Sequence, residues 1–148
     1  MKYDDASWHY GGDFPPDLPP EAGATHIAMF VAWAMLNGLA GPIHTEDFPA
    51  LLGRLHNREL TPGTWFIEAC DEKFTDEDLN EEGNAFAQSY YANEDGLRTG
   101  VSSFLDDYTE AFPDFQDSYR VPDTWETYER IAPIISRRFI NWRNSGDH

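Results

Sequence analysis

An all-α fold, arranged as a compact irregular bundle of about six helices, follows from three features of the sequence. Apolar and aromatic residues recur at helical spacing in separate stretches. Residues that start and stop helices stand at the ends of those stretches. Alternation bounded by turns, the mark of a strand, is essentially absent. With 148 residues, 41% apolar and 15% aromatic, the chain has the size of one domain, 1–148, and enough apolar surface for a real core. Disordered acidic chains are poor in aromatics, so the acidity of this one does not signal disorder.

Residues 1–20 are rich in Gly, Pro and Asp and hold Pro15-Pro16 and Pro19-Pro20, which rule out a helix. Tyr3, Trp8, Tyr10, Phe14 and Leu18 are nevertheless too apolar for a free tail. The expectation is an irregular Pro-rich arm ordered against the core, with Trp8 buried. The first helix spans about Ala22 to Asn37, and Asn37-Gly38 stops it because Gly accepts the left-handed cap. From Ile27 to Leu36 it has almost no polar face, which places it in the middle of the bundle.

Thr45 can cap a second helix carrying Phe48, Leu51, Leu52 and Leu55 at helical spacing. Thr61-Pro62, a cap followed by proline at the first helical position, opens a third through Trp65, Phe66, Ala69 and Cys70. The fourth starts near Asn80 and carries Phe86 and Tyr90, with Glu81 and Glu82 at its positive end. Asn93 to Gly96 reads as a turn. In the fifth, Val101, Phe104, Leu105, Tyr108 and Phe112 form the inner face and Asp106, Asp107 and Glu110 the wet one. Asp123 and Glu126 form a capping box for the last helix, whose stripe is Trp125, Tyr128, Ile131, Ile135, Phe139 and Trp142. Pro133 is expected to kink or split it.

Acids outnumber bases 27 to 10, a formal charge of −17. Such a surface repels nucleic acid and anionic membranes and speeds association with basic partners. Asp71 to Asp95 holds nine acids and one base, close to half of the excess, whereas the five Arg from Arg120 onward outnumber the four acids there. No apolar leader follows Met1-Lys2-Tyr3-Asp4-Asp5, and the single Cys70 can close no internal disulfide. The longest apolar run is about half of what spans a bilayer. These features place the protein in the cytoplasm.

Catalytic and metal patterns are missing. None of the five histidines follows a Glu by three residues, and there is no H-E-x-x-H, paired-Cys spacing, P-loop or G-x-G-x-x-G. The acidic run Asp71–Glu82 has the length of an EF-hand loop, but Lys73, Thr75 and Asp76 stand where ligands and the turning Gly belong. Neither a metal nor a cofactor is therefore expected. Cys70 reads as a buried inert thiol rather than a nucleophile. The candidate partner-binding set is Asp71, Glu72, Asp76, Glu77, Asp78, Glu81 and Glu82, which either meets the basic surface of a protein or is a solvated turn whose acids cap helix starts.

The phrases MKYDDASWH (1–9), EAGATH (21–26), Ala32-Trp33 with Asn37-Gly38, FTDEDLNEEGNAF (74–86), and VPDTW (121–125) with Arg137, Arg138, Phe139 and Trp142 occur in this order. Over nearly its full length the chain resembles a family of short acidic bacterial proteins of unassigned activity that carry them. Some members look like immunity proteins encoded beside toxins, including effectors of type VI secretion. The resemblance implies a non-enzymatic inhibitor of a cognate toxin that acts in the cytoplasm, a nuclease with a basic cleft above all. It supplies no catalytic residues. Two other readings stay open: an acidic adaptor or subunit with a non-toxin partner, and a small enzyme assembled from scattered residues such as Trp8, His9, His26 and Asp107.

Overall fold

Helix α1, Thr25–Leu36, runs through the middle of the molecule, where a stretch without a polar face must go. Every residue from Thr25 to Met35 is buried. The computed structural model describes residues 2–6, 17–91, 104–115 and 118–145. Trp8, His9, Val101 and the turn expected at 93–96 lie outside the described residues. Around α1 stand α2 (Pro49–His56), α3 (Pro62–Cys70), α4 (Glu81–Tyr90), α5 (Phe104–Ala111) and α6 (Trp125–Ser145). The predominantly α-helical fold read from the sequence is the fold observed. Helix α1 packs on α2, α3, α5 and α6, while α4 and α5 also pack on α6.

Several helix ends obey local rules. Gly38, with φ of +79°, reverses the chain after α1, and Asn37 donates its amide N–H to the Trp33 carbonyl at 2.8 Å. Thr61 Oγ1 accepts from Thr64 N at the start of α3, and Asn80 Oδ1 accepts from Gly83 N at the start of α4.

Elsewhere long-range partners override the local reading. Thr45 caps nothing: it lies in a π-helical turn, Ile43–Asp47, and α2 begins at Pro49 with Phe48 at the cap and 53% exposed. Asp123 does not cap α6. Its carboxylate accepts from Gly63 N at 2.8 Å and Thr61 Oγ1 at 2.6 Å, serving the positive end of α3 instead. Thr124 takes over at α6, accepting from Thr127 N at 3.1 Å. Helix α6 also continues through Pro133 without splitting; that residue is on the exposed face, where water can take the carbonyl left without a donor.

The face expected for α5 is partly wrong. Leu105 is 47% exposed and Asp107 is buried. Asp107 can be inside because Arg138 grips it through Nε and Nη2, both at 2.9 Å, and Tyr90 donates its hydroxyl at 2.6 Å.

The first described part of the arm is a strand, whereas 17–19 form a turn that leads into a 3-10 helix, Pro20–Gly23. β1 (Lys2–Asp5) pairs antiparallel with β2 (Lys73–Thr75), with an irregularity between Lys2 and Asp4. Strands of three and four residues are too short to show a period of two, so the sequence carried no signal for them. Tyr3 pins β1 by packing its ring at a tilt against Phe74, with centroids 4.9 Å apart, and by donating its hydroxyl to Asn84 Oδ1 at 2.7 Å.

The core is unusually aromatic at its centre. Phe30 of α1 meets Phe74, Phe86, Tyr91 and Phe104 at centroid distances of 5.0 to 6.1 Å. Burial holds the phenols in this region un-ionised. It pushes Tyr128 up to about 12, Tyr90 and Tyr108 higher still, and Tyr91 well above its ordinary value, with Asp107 beside Tyr90 and Asp4 beside Tyr91 adding to the effect. A raised folded value stabilises the protein below the unfolded value near 10 and is lost as pH climbs through the folded one. Tyrosinate absorbance should therefore rise in two phases, the second coinciding with alkaline unfolding. A single titration near pH 10 with the fold retained would contradict this packing.

Candidate functional site

The acidic run begins where α3 stops. Asp71 and Glu72 adopt φ of +53° and +64°, two consecutive left-handed residues that turn the chain into β2. Asp71 is 92% exposed and pairs with Lys73 at 3.0 Å. A short 3-10 turn, Asp76–Asp78, follows, and Thr75 boxes it: Thr75 Oγ1 accepts from Glu77 N, while Asp78 Oδ2 accepts from Thr75 N at 2.9 Å. Of the seven candidate residues, Asp71, Glu77, Glu81 and Glu82 are exposed, and Glu72 and Asp76 are half-buried. Asp78 is 5% exposed, so it faces the interior and cannot meet a partner. The cap bond and His44 draw it inward.

Two of the exposed acids acquire a structured setting. Glu81 and Glu82, in the first turn of α4, stand against the end of α6. Asn80, Glu81, Glu82, Ala85 and Trp142 line a cleft of about 480 Å³. Arg143 Nε lies 3.5 Å from Glu82 Oε2. The neighbouring groove is lined by Glu82, Ile140, Arg143 and Asn144, and Ile140 is 55% exposed. Trp142 is held in place by Phe86 at 5.5 Å and Phe139 at 5.9 Å. Two carboxylates beside a fixed indole make a receptacle for a guanidinium or ammonium group, which gains both charge pairing and contact with a ring. Trp142 was legible only as one more member of the α6 stripe, and no local signal marks Ile140 as a surface residue.

Behind the acidic run lies a second constellation that the sequence did not disclose. His44 of the π-helical turn, Cys70 at the end of α3 and Asp78 of the 3-10 turn converge, with their ligand-type atoms all within 4.8 Å of one another. His44 Nε2 is 2.8 Å from Asp78 Oδ1, and Cys70 Sγ is 3.5 Å from that oxygen and 3.9 Å from the nitrogen. His44 is 1% exposed and packs on Trp65 at 5.3 Å, while Cys70 is half-buried. Burial, with Asp78 alongside, pushes the Cys70 thiol well above its ordinary range, so it is protonated and a poor nucleophile near neutral pH. Cysteine and aspartate both address the same imidazole nitrogen, unlike a nucleophile–base–orienter relay, which uses opposite nitrogens.

Of the residues considered for a scattered enzyme site, the two that are described, His26 and Asp107, fall into separate networks. Asp107 is occupied by Tyr90 and Arg138. His26 Nε2 lies 3.9 Å from Asp4 Oδ2, which accepts the Tyr91 hydroxyl at 2.6 Å. That contact joins the first phrase of the resemblance to the second, and the β1–β2 pairing joins it to the phrase beginning at Phe74.

A family model described as "Domain of unknown function (DUF7832)" matches residues 2–121. The His44–Cys70–Asp78 constellation lies within that span, and α6 lies beyond it. No curated protein and no solved structure matches the chain. Among the described residues no helix is long and apolar enough to cross a membrane.

Proposed function

The chain belongs to the DUF7832 family, a domain of unknown function, and on that premise we propose that this member is an immunity protein that neutralises a basic, cytoplasm-acting bacterial toxin. The observation that carries the reading is the cleft in which Glu81 and Glu82 face Trp142. It offers a docking point for an Arg or Lys side chain of the kind that lines a nuclease cleft. The surroundings favour the same partner. Arg58, Lys73, Arg120, Arg138 and Arg143 are each already paired with a carboxylate of this chain, on Glu129, Asp71, Asp17, Asp107 and Glu82. Arg143 offsets part of the Glu82 charge, which leaves Glu81 as the cleft carboxylate that meets an incoming cation, in a chain whose acids outnumber its bases 27 to 10. Non-enzymatic inhibition requires only this binding, and it involves neither nucleic acid nor membrane.

The test is binding to, and protection against, the product of the neighbouring toxin gene. Glu81→Lys with Glu82→Lys should slow association by about tenfold or more and flatten its salt dependence, because steering is carried by long-range charge. Trp142→Ala should weaken affinity by about 2 kcal/mol, roughly thirtyfold, as an anchor residue does, chiefly through faster dissociation. Reversing acids at the start of α4 costs up to about 1 kcal/mol of stability each, so the folded state survives as a fair comparison. Full protection by both variants, with a salt-insensitive on-rate for the wild type, would refute the reading.

A further inference from the structure

We propose that His44, Cys70 and Asp78 form a binding site for a divalent transition metal of the zinc class, with three protein ligands and an exchangeable fourth position. The inference is independent of the toxin reading. Its basis is geometric. For zinc bound to sulfur, imidazole nitrogen and carboxylate oxygen at the usual lengths, the edges of the tetrahedron are about 3.3–3.6 Å. The sulfur–oxygen distance is 3.5 Å and the sulfur–nitrogen distance 3.9 Å, so both stand close to the required values before any ion is present. Only the 2.8 Å nitrogen–oxygen contact is short, being a hydrogen bond, and a widening of about half an ångström opens it to a metal.

The donor set selects the ion. One thiol, one imidazole and one carboxylate suit zinc or cobalt, whereas magnesium and calcium demand oxygen donors throughout. The three ligands come from three segments, the π-helical turn, the end of α3 and the 3-10 turn, so an ion would clamp together elements that are distant in sequence. Asp78 is already oriented by Thr75 N on its other oxygen, the outer-shell support that a metal carboxylate needs. Cys70 is the least buried of the three ligands and adjoins the exposed Asp71. The carboxylates of the acidic run raise the local cation concentration there.

Binding must displace protons. The Cys70 thiol gives its proton to solvent as the metal–sulfur bond forms. A metal needs the lone pair of His44 Nε2, so any proton shared there with Asp78 must go to solvent or to Nδ1. Affinity should therefore fall as pH drops, with at least one proton released per ion. Acidic clusters elsewhere on the surface bind cations loosely, so the test must identify the sulfur.

Cobalt(II) added to the full chain, in a reductant that does not bind metal, supplies that identification. Cys70 is the only cysteine, so a thiolate-to-cobalt charge-transfer band saturating at one equivalent can come from nowhere else. The band should appear in the wild type, vanish in Cys70→Ser, and be competed away by zinc. His44→Gln should weaken binding by more than the roughly 10- to 100-fold that loss of a supporting residue costs. Asp71→Asn with Glu77→Gln should leave the position of the band and its one-equivalent saturation unchanged, because neither residue supplies a ligand. Circular dichroism melts of each variant separate lost ligation from lost fold, and the wild-type band needs no variant at all. No charge-transfer band in the wild type, equal cobalt affinity in Cys70→Ser, or an unaffected His44→Gln would each overturn the site and leave the three residues as an interior latch.

Discussion

Trp33→Ala should lower the stability of the protein by about 3–5 kcal/mol, the usual cost of emptying a buried indole site. The side chain is 1% exposed and touches Phe30, Phe86 and Phe139 at centroid distances of 5.4 to 6.0 Å. Its Nε1 donates to Ser136 Oγ at 2.9 Å, so the substitution also strips a half-buried hydroxyl of its donor. Against a typical total of about 5–15 kcal/mol, a loss of that size is roughly a fifth of the stability or more. The melting temperature should drop by roughly 10 °C, taking about 2–4 °C per kcal/mol for a chain of this size. Trp33→Phe, which keeps most of the volume and loses the N–H, should fall in between. A wild-type melting curve for the alanine variant would mean that α1 and α6 are not joined through this residue.

Gly41→Ala should be nearly as damaging, for a steric reason. A Cβ at this position would lie 2.5 Å from the Glu77 carbonyl oxygen and 2.9 Å from that of Leu79, both backbone atoms that cannot rotate away. Gly41 N also donates to the Asp78 carbonyl at 2.9 Å, and Asn80 N donates to Leu39 O at 2.8 Å, so the two segments are laced together. The methyl would force them apart. Overpacking of this kind costs about 1–3 kcal/mol or more. Thermal melts of the variant check this expectation. An unchanged melt would show that the segments do not approach this closely.

The helical parts of the fold were readable because their causes are local. The uninterrupted apolar run of Ile27–Leu36, the Thr61-Pro62 start, the Asn80 cap and the Gly38 stop each act within about one turn of helix, and each is found where expected. The misreadings share the opposite property. Asp123 looked like the cap of its own helix, but Gly63 and Thr61, some sixty residues earlier, claim its carboxylate. Leu105 and Asp107 exchanged roles because Arg138 and Tyr90 make a buried carboxylate tolerable. Phe48 lost its place in the core when the π-helical turn ahead of it directed His44 inward instead.

The same division runs through the candidate sites. Charge, composition and helical period need no partner to be read, and they specify an acidic, helix-dominated molecule built around one apolar helix. Which acids count depends on the packing of distant segments. That packing sorted the run Asp71–Glu82 into exposed, half-buried and buried members and set Glu81 and Glu82 beside Trp142. It also drew His44, Cys70 and Asp78 together from positions 26 and 8 residues apart. Period and capping report the environment of a residue relative to its own helix, whereas the meeting of three side chains depends on how the connecting segments close, and loop closure leaves no pattern in the residues it joins.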